Sequence, residues 1–250
     1  MRRAETYPRM AHRMQVQEEV STMKAPYIGR ALSFMVMLGI AIWWGGRILS
    51  GQPAEPKGPF PTPAVDASLS AKAGAETAVF SGGCFWGIQG VFQHVKGVRK
   101  ATSGYAGGTV ENPYYQLVSS GSTGHAESVR VIFDPSQVSY GNLLMVFFSV
   151  AHDPTQKDRQ GPDIGTQYRS AVFYTSDEQK KIAESYIAQI NKAKVYNNAI
   201  ATQVVPYSAF YPAEDYHQDY LAKHPDDPYI AYNDLPKINR LKQTYPDLYR

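Results

Sequence analysis

Thr77-Ala78-Val79-Phe80-Ser81-Gly82-Gly83-Cys84-Phe85-Trp86-Gly87 joins two elements, and its reading sets the rest of the chain in order. Thr77 to Phe80 is a short apolar run suited to a buried strand. Ser81-Gly82-Gly83 is a turn that needs the backbone freedom of glycine. From Cys84 to His94 the apolar residues Phe85, Ile88, Val91, Phe92 and Val95 fall at helical spacing. The cysteine therefore stands at the first turn of a helix. Unpaired N–H groups and positive partial charge gather there, and both favour a thiolate, the nucleophilic form of cysteine.

Working outward, Val98 to Tyr105 reads as a second strand, closed by Ala106-Gly107-Gly108. Ser128 to Phe133 alternates Val129, Val131 and Phe133 against Arg130, as a half-buried strand does. Tyr140 to Ala151 is an apolar helix through Leu143, Leu144, Phe147 and Phe148. Ser170 to Tyr174 is a strand, and Ser176-Asp177-Glu178 caps an amphipathic helix running to about Lys194. Thr202 to Val205 makes a last short strand, and Tyr216 to Lys223 a short helix. The order β-α-β-β-α-β, then α-β, predicts an α+β fold: a ferredoxin-like split βαβ plait with a mixed sheet, extra helices and an irregular C-terminal tail wrapping the surface.

The net charge of +3 sits in the first 50 residues, where seven basic residues meet three acidic ones. The remaining 200 residues carry 18 basic and 19 acidic side chains, so the charge gives no argument for nucleic-acid binding. Cys84 is the one cysteine of 250 residues, which excludes an internal disulfide and any zinc site built on two thiolates. A lone cysteine is either a small buried hydrophobe or a reactive thiol. The glycine turn and the helix start favour the second.

Ala31 to Gly46 has 16 residues without a charge, between Arg30 and Arg47, and ends near Trp43-Trp44. Ile48 and Leu49 extend it to the length of a membrane span or the apolar region of a secretory signal. The basic flank predicts that the N-terminal side stays cytoplasmic and the rest is exported. An inner-membrane anchor with a periplasmic domain is the expectation; a cleaved signal and a soluble periplasmic protein is the alternative. Gly51 to Gly74, with five prolines, reads as a linker.

Five segments together resemble the A-type peptide-methionine-sulfoxide reductase family. Gly82-Gly83-Cys84-Phe85-Trp86-Gly87 is similar to the family's signature, and Asn112-Pro113-Tyr114-Tyr115 to its Asn-Pro-x-Tyr. Gly121-Ser122-Thr123-Gly124-His125-Ala126-Glu127 resembles Gly-x-Thr-Gly-His-Ala-Glu, and Asp163-Ile164-Gly165-Thr166-Gln167-Tyr168-Arg169-Ser170 resembles Asp-x-Gly-Thr-Gln-Tyr-Arg-Ser. Tyr211 to Gln218 fits the Ala-Glu-x-x-His-Gln block. Each motif alone is weak, and their common order is specific.

The resemblance implies reduction of methionine-S-sulfoxide, free or in peptides and oxidised proteins. Cys84 would attack the sulfoxide sulfur, the oxygen would leave as water, and the cysteine would end as a sulfenic acid. Glu127 would be the general acid, with a raised pKa. Tyr115 and Tyr168 would hydrogen-bond the sulfoxide oxygen, and Phe85 and Trp86 would hold the S-methyl group. Asp163 is a carboxylate of the same site. His125 and His217 read as structural. No metal or organic cofactor is implied.

Many relatives carry further cysteines that resolve the sulfenic acid, and this chain has none; Ser119 stands where some place one. The resemblance therefore implies a one-cysteine enzyme recycled by an external thiol: thioredoxin, glutaredoxin or a small thiol. The expected organisation is a basic segment (1–30), a signal anchor or signal peptide (31–49), a linker (50–75), the reductase domain (76–225) and a tail (226–250), as a monomer. Two other classes stay open at this point. One is a cysteine hydrolase using His125 or His217, and the other a non-catalytic methionine-binding module.

Overall fold

In the computed structural model, residues 56–250 are described. The apolar run at 31–46 and the basic segment before it lie outside the described residues. Among the described residues no helix is long and apolar enough to cross a membrane.

The strands are β1 (Glu76–Ser81), β2 (Val98–Ala106), β3 (Ala126–Phe133), β4 (Arg159–Gln160), β5 (Asp163–Ile164), β6 (Ala171–Tyr174), β7 (Gln203–Pro206) and β8 (Phe210–Pro212). The helices are α1 (Phe85–Gln93), α2 (Tyr115–Ser119), α3 (Tyr140–Val146), α4 (Asp177–Lys192), α5 (Tyr220–Lys223) and α6 (Leu235–Thr244). Six strands form one sheet in the order β7-β6-β1-β3-β2-β8. The inner four, β6-β1-β3-β2, pair antiparallel in the split βαβ arrangement the sequence predicts. β7 adds parallel to β6, which makes the sheet mixed, and β8 adds antiparallel to β2. β4 and β5 form a separate two-stranded hairpin.

Alternation along the strands sets what each face buries. On β3, Val129, Val131 and Phe133 enter the main core. Arg130 points to the other face, where its guanidinium lies 4.7 Å from the Phe210 ring. Under α1 the core is aromatic: Phe80 stacks on Phe92 at 5.1 Å and on Phe147 at 4.9 Å. A smaller cluster of Val79, Ala106, Ala171 and Phe173 packs on the opposite face. The α4 boundary falls where its cap lies, with Ser176 Oγ accepting from Gln179 N–H.

Three segments differ from the sequence reading. The apolar helix expected to Ala151 is α-helical only to Val146; Phe147–Ala151 opens into one wider π turn that ends at extended His152. The C-terminal stretch covers the surface with helix rather than irregular chain. A π turn at Ile230–Asp234 leads into α6, which packs on α1 and buries Ile238 and Leu241. Residues 56–75 have no helix or strand, yet they are held to the domain. Tyr186 Oη donates to Pro61 O, Gln189 side-chain atoms bond Thr62 O and Ala64 N, and Asp66 accepts from Ser139 Oγ and Gly141 N. Prolines removed the periodic signal, and the backbone polar groups found side-chain partners instead.

Candidate active site

The turn after β1 is built for close approach. Gly83 has φ +97°, a left-handed value that favours glycine, and a β-carbon there would strike the Gln160 side chain. Cys84 follows as the N-cap of α1 and is 8% exposed. Three residues on, Gly87 lets buried Asp234 from the tail lie directly against the first turn of α1.

Glu127 owes its burial to register. It lies two residues before Val129 and so shares the core-facing side of β3, opposite Tyr105 on β2. It is 2% exposed, and its Oε2 accepts from Phe85 N–H at 3.0 Å. Burial pushes the Glu127 carboxyl up to about 8, with the Phe85 bond working against that and Asp163 and Asp234 adding to it. Near neutrality this carboxyl holds a proton.

Cys84 differs from the sequence expectation. Burial, then the charges of Glu127 and Asp234, push its thiol well above the ordinary range; the Trp86 N–H opposes them and Asp163 adds to them. The two effects differ in size. A helix start contributes roughly 0.3–1 kcal/mol, less than one pKa unit at about 1.4 kcal/mol. Full burial moves a group by several such units. The resting group is therefore a thiol.

The phenols come from two turns. Tyr115 opens α2, where its N–H donates to Glu214 Oε1 at 2.9 Å, and Glu214 Oε2 accepts from Tyr105 Oη at 2.9 Å. Tyr168 ends a 3-10 turn at Thr166–Tyr168. Burial, then the charge of Glu127, pushes both phenols upward, with Cys84 among the lesser causes, so all four groups share one site. Asp163 enters from β5; Tyr229 Oη donates to its Oδ2, and burial raises its pKa.

Phe85 is fully buried and tilts toward Trp86 at 6.4 Å and Tyr105 at 5.9 Å. Trp86 is half-buried, stacks on Tyr220 at 3.8 Å and donates from Nε1 to His217 Nδ1 at 3.2 Å. His217 sits against Phe85 and Tyr115 at 5.0 and 4.4 Å, and burial lowers its pKa. His125 is occupied elsewhere: Nδ1 accepts from Gly108 N–H and Nε2 bonds Val110 O. Both ring nitrogens of His125 are thus engaged, which removes it as a base for Cys84; in His217, Nδ1 accepts from Trp86 and Nε2 is buried with no hydrogen-bond partner.

The structure brings together all seven residues singled out in the sequence. It adds four that pattern reading missed. Glu214 and Tyr105 fix the start of α2; Tyr229 and Asp234 come from the tail. Glu214 lay in a recognised motif, so a signal existed. Tyr229 and Asp234 had none, because their nearness depends on α6 docking over α1.

Fold and site together define a class: a mixed α+β domain that sets one buried thiol beside one buried carboxyl, both pushed toward their protonated forms by burial. Residues 76–248 match the family described as "Peptide methionine sulfoxide reductase", and the chain belongs to that family. It is 61% identical over 176 residues to "Peptide methionine sulfoxide reductase MsrA 2" of Mesorhizobium japonicum, covering 70% of this chain and 90% of that one. With the protein of the same description from Synechocystis it shares 48% over 210 residues, 84% of this chain and 97% of the relative. Among solved structures, Mxr1 from Saccharomyces cerevisiae in reduced form superposes with TM-score 0.55 at 33% identity, over 66% and 92% of the two chains. Methionine sulfoxide reductase A of Corynebacterium diphtheriae gives 0.54 at 36%, over 70% and 87%. The protein is an oxidoreductase that reduces methionine sulfoxide to methionine.

Proposed function

We propose that Cys84 is the nucleophile, Glu127 the proton donor, and Tyr115 and Tyr168 the hydrogen-bond donors to the oxygen of methionine-S-sulfoxide. Phe85 and Trp86 wall the S-methyl group, and Asp163 with Tyr229 closes the polar side. One observation carries the reading: Glu127, buried, accepts the N–H of the residue next to buried Cys84, and burial pushes carboxyl and thiol alike toward their protonated forms. Their protons are the two a sulfoxide oxygen needs to leave as water.

The step balances. Glu127 protonates the oxygen, the Cys84 sulfur attacks the substrate sulfur, and the thiol proton goes to the same oxygen. The S–O bond breaks and water leaves, with Cys84 and the substrate joined as a thio-sulfonium. Water then attacks the Cys84 sulfur and methionine departs, leaving Cys84–S–OH and returning a proton to Glu127. The substrate sulfur gains two electrons and the cysteine sulfur loses two.

Because Cys84 is the one thiol of the chain, two equivalents of an external thiol return it to the resting state, by thioredoxin, glutaredoxin or a small thiol. The Cys84→Ser variant, with dithiothreitol as reductant and epimer-resolved methionine sulfoxide as substrate, tests the assignment. Loss of S-epimer reduction is expected, and activity equal to the parent would overturn it.

We further propose that residues 31–49 anchor the domain in a membrane, leaving the domain on the exported side. The support is the uncharged run with its basic flank. Fractionation of cells expressing the full chain tests this. Recovery of an uncleaved chain in membranes is expected, and recovery in the soluble cytoplasmic fraction would contradict it.

A further inference from the structure

Three glycines around Cys84 each have a buried polar side chain where a β-carbon would stand: His152 against Gly82, Gln160 against Gly83 and Asp234 against Gly87. His152 and Gln160 also line, with Cys84, Tyr229 and Lys237 among others, a cavity of about 60 Å³. The proposed sulfoxide chemistry uses none of the three. At Gly82 the close approach is to the imidazole ring itself; a β-carbon there would lie 2.7 Å from His152 Cδ2 and 2.8 Å from its Cγ. The turn that carries the nucleophile therefore seats directly on this ring.

The ring is held at both nitrogens. A carbonyl only accepts, so the 3.0 Å bond between Nδ1 and Phe147 O places the proton on Nδ1. Nε2 is then the acceptor, and Ser170 Oγ donates to it at 2.7 Å. With its proton so used, Ser170 Oγ accepts from Thr202 Oγ1 at 2.7 Å. Burial keeps the imidazole neutral and lowers its pKa to about 4, against the Phe147 carbonyl and the charge of Asp153 and with a small push from Lys237. Gln160 is held by the next residue: its Oε1 accepts from Asp153 N–H at 3.1 Å, and its Nε2 donates to Asp153 O at 3.0 Å. The side chains under Gly82 and Gly83 thus belong to one hydrogen-bonded block. That block begins where the π turn at Phe147–Ala151 ends, and such turns recur at functional positions.

We propose that His152 is a positioning residue for Cys84: fixed by Phe147 O and Ser170 Oγ, its ring is the stop on which the Gly82-Gly83 turn rests, and that seat sets the Cys84 sulfur in line with the sulfoxide. Gln160 is the matching stop on the Gly83 side. This rests on the reading that Cys84 attacks the sulfoxide sulfur. The substrate-holding groups are anchored by other bonds: Glu214 takes the Tyr115 N–H, and Trp86 is held by His217 and Tyr220. Loosening His152 should therefore move the sulfur and leave the pocket in place. A shift of about 1 Å in a reacting atom can cost on the order of 10²-fold in rate.

The test follows methionine formation through one turnover of the full chain over a range of methionine-S-sulfoxide concentrations. It yields a saturating rate and a half-saturation concentration. His152→Phe keeps a ring against Gly82 and gives up both hydrogen bonds, and Ser170→Ala removes only the donor to Nε2. The saturating rate should fall about 10- to 100-fold in His152→Phe and about three- to tenfold in Ser170→Ala. Half-saturation should stay within about twofold of the parent, a split that general loosening of the pocket would not give. Gly82→Ala presses on the same contact, so its loss combined with that of His152→Phe should be less than additive. A loss under about threefold in His152→Phe, half-saturation rising in step with the fall in rate, or additive losses in the double variant would each overturn the proposal. Should His152→Phe not fold, Ser170→Ala decides: a rate equal to the parent's overturns it. A parent that forms no methionine would instead bring down the functional reading.

Discussion

Glu127 Oε2 accepts the backbone N–H of Phe85 at 3.0 Å, so the acid is tied to the residue immediately after Cys84. The bond joins β3 to the first turn of α1 and fixes carboxyl and thiol on one frame. If Glu127 supplies the proton, Glu127→Gln keeps the shape and the acceptor for Phe85 but cannot protonate the oxygen. Its single-turnover rate with methionine sulfoxide should fall by about 10²- to 10³-fold. Stopped-flow measurement of methionine formation checks this, and a loss under threefold would contradict the role.

The same substitution should change how stability depends on pH. The folded carboxyl is raised to about 8. Stability tied to that proton is fully present below the ordinary value of 4.5, and it is lost as pH rises through about 8. Glu127→Gln should therefore gain stability over the parent, by little at pH 4.5 and by on the order of a few kcal/mol at pH 8. Denaturant melts at the two pH values give the comparison.

The rate should follow the same group. Sulfenic acid formation in the parent is expected to be flat below about pH 8 and to fall above it as Glu127 loses its proton. In Glu127→Gln that fall should vanish. A parent rate that climbs steadily from pH 7 to 10 would mean that thiol ionisation, not the carboxyl proton, limits the step.

Tyr115→Phe and Tyr168→Phe each remove one of the two proposed donors to the sulfoxide oxygen. Each should cost about 10- to 100-fold in kcat/KM. Glu214 acts through Tyr115, because it holds the Tyr115 N–H and the Tyr105 hydroxyl. Glu214→Ala should lower kcat/KM, and in combination with Tyr115→Phe the losses should be less than additive.

The segment before β1 should matter to stability and not to chemistry. Asp66 takes the Ser139 hydroxyl and the Gly141 N–H at the start of α3. Asp66→Ala should destabilise the domain by about 1–3 kcal/mol with the single-turnover rate unchanged. Thermal melts and the stopped-flow assay together decide it.

Much of the fold was readable because its patterns are local. Val129, Val131 and Phe133 set the period of β3, and extending that period back two residues places Glu127 on the buried face. Ser176 marked the start of α4 in the same way. The hairpin of β4 and β5 is two residues a side, too short for any periodicity to register. Tyr229, Asp234 and Lys237 escaped for another reason. Nothing near them in the chain speaks of Cys84; they reach it only after α6 folds back over α1. The helix start at Cys84 is visible in sequence, while the burial that raises its thiol pKa is a property of the packed core.

The central claim is that one sulfur carries the whole oxidation. Reduced protein is mixed with excess methionine-S-sulfoxide and no reductant, methionine is counted, and Cys84 is trapped with a dimedone-type probe and mapped by mass. The account predicts one methionine per chain and one sulfenic adduct, at Cys84. Several methionines per chain, or one methionine with Cys84 still a free thiol, would contradict it.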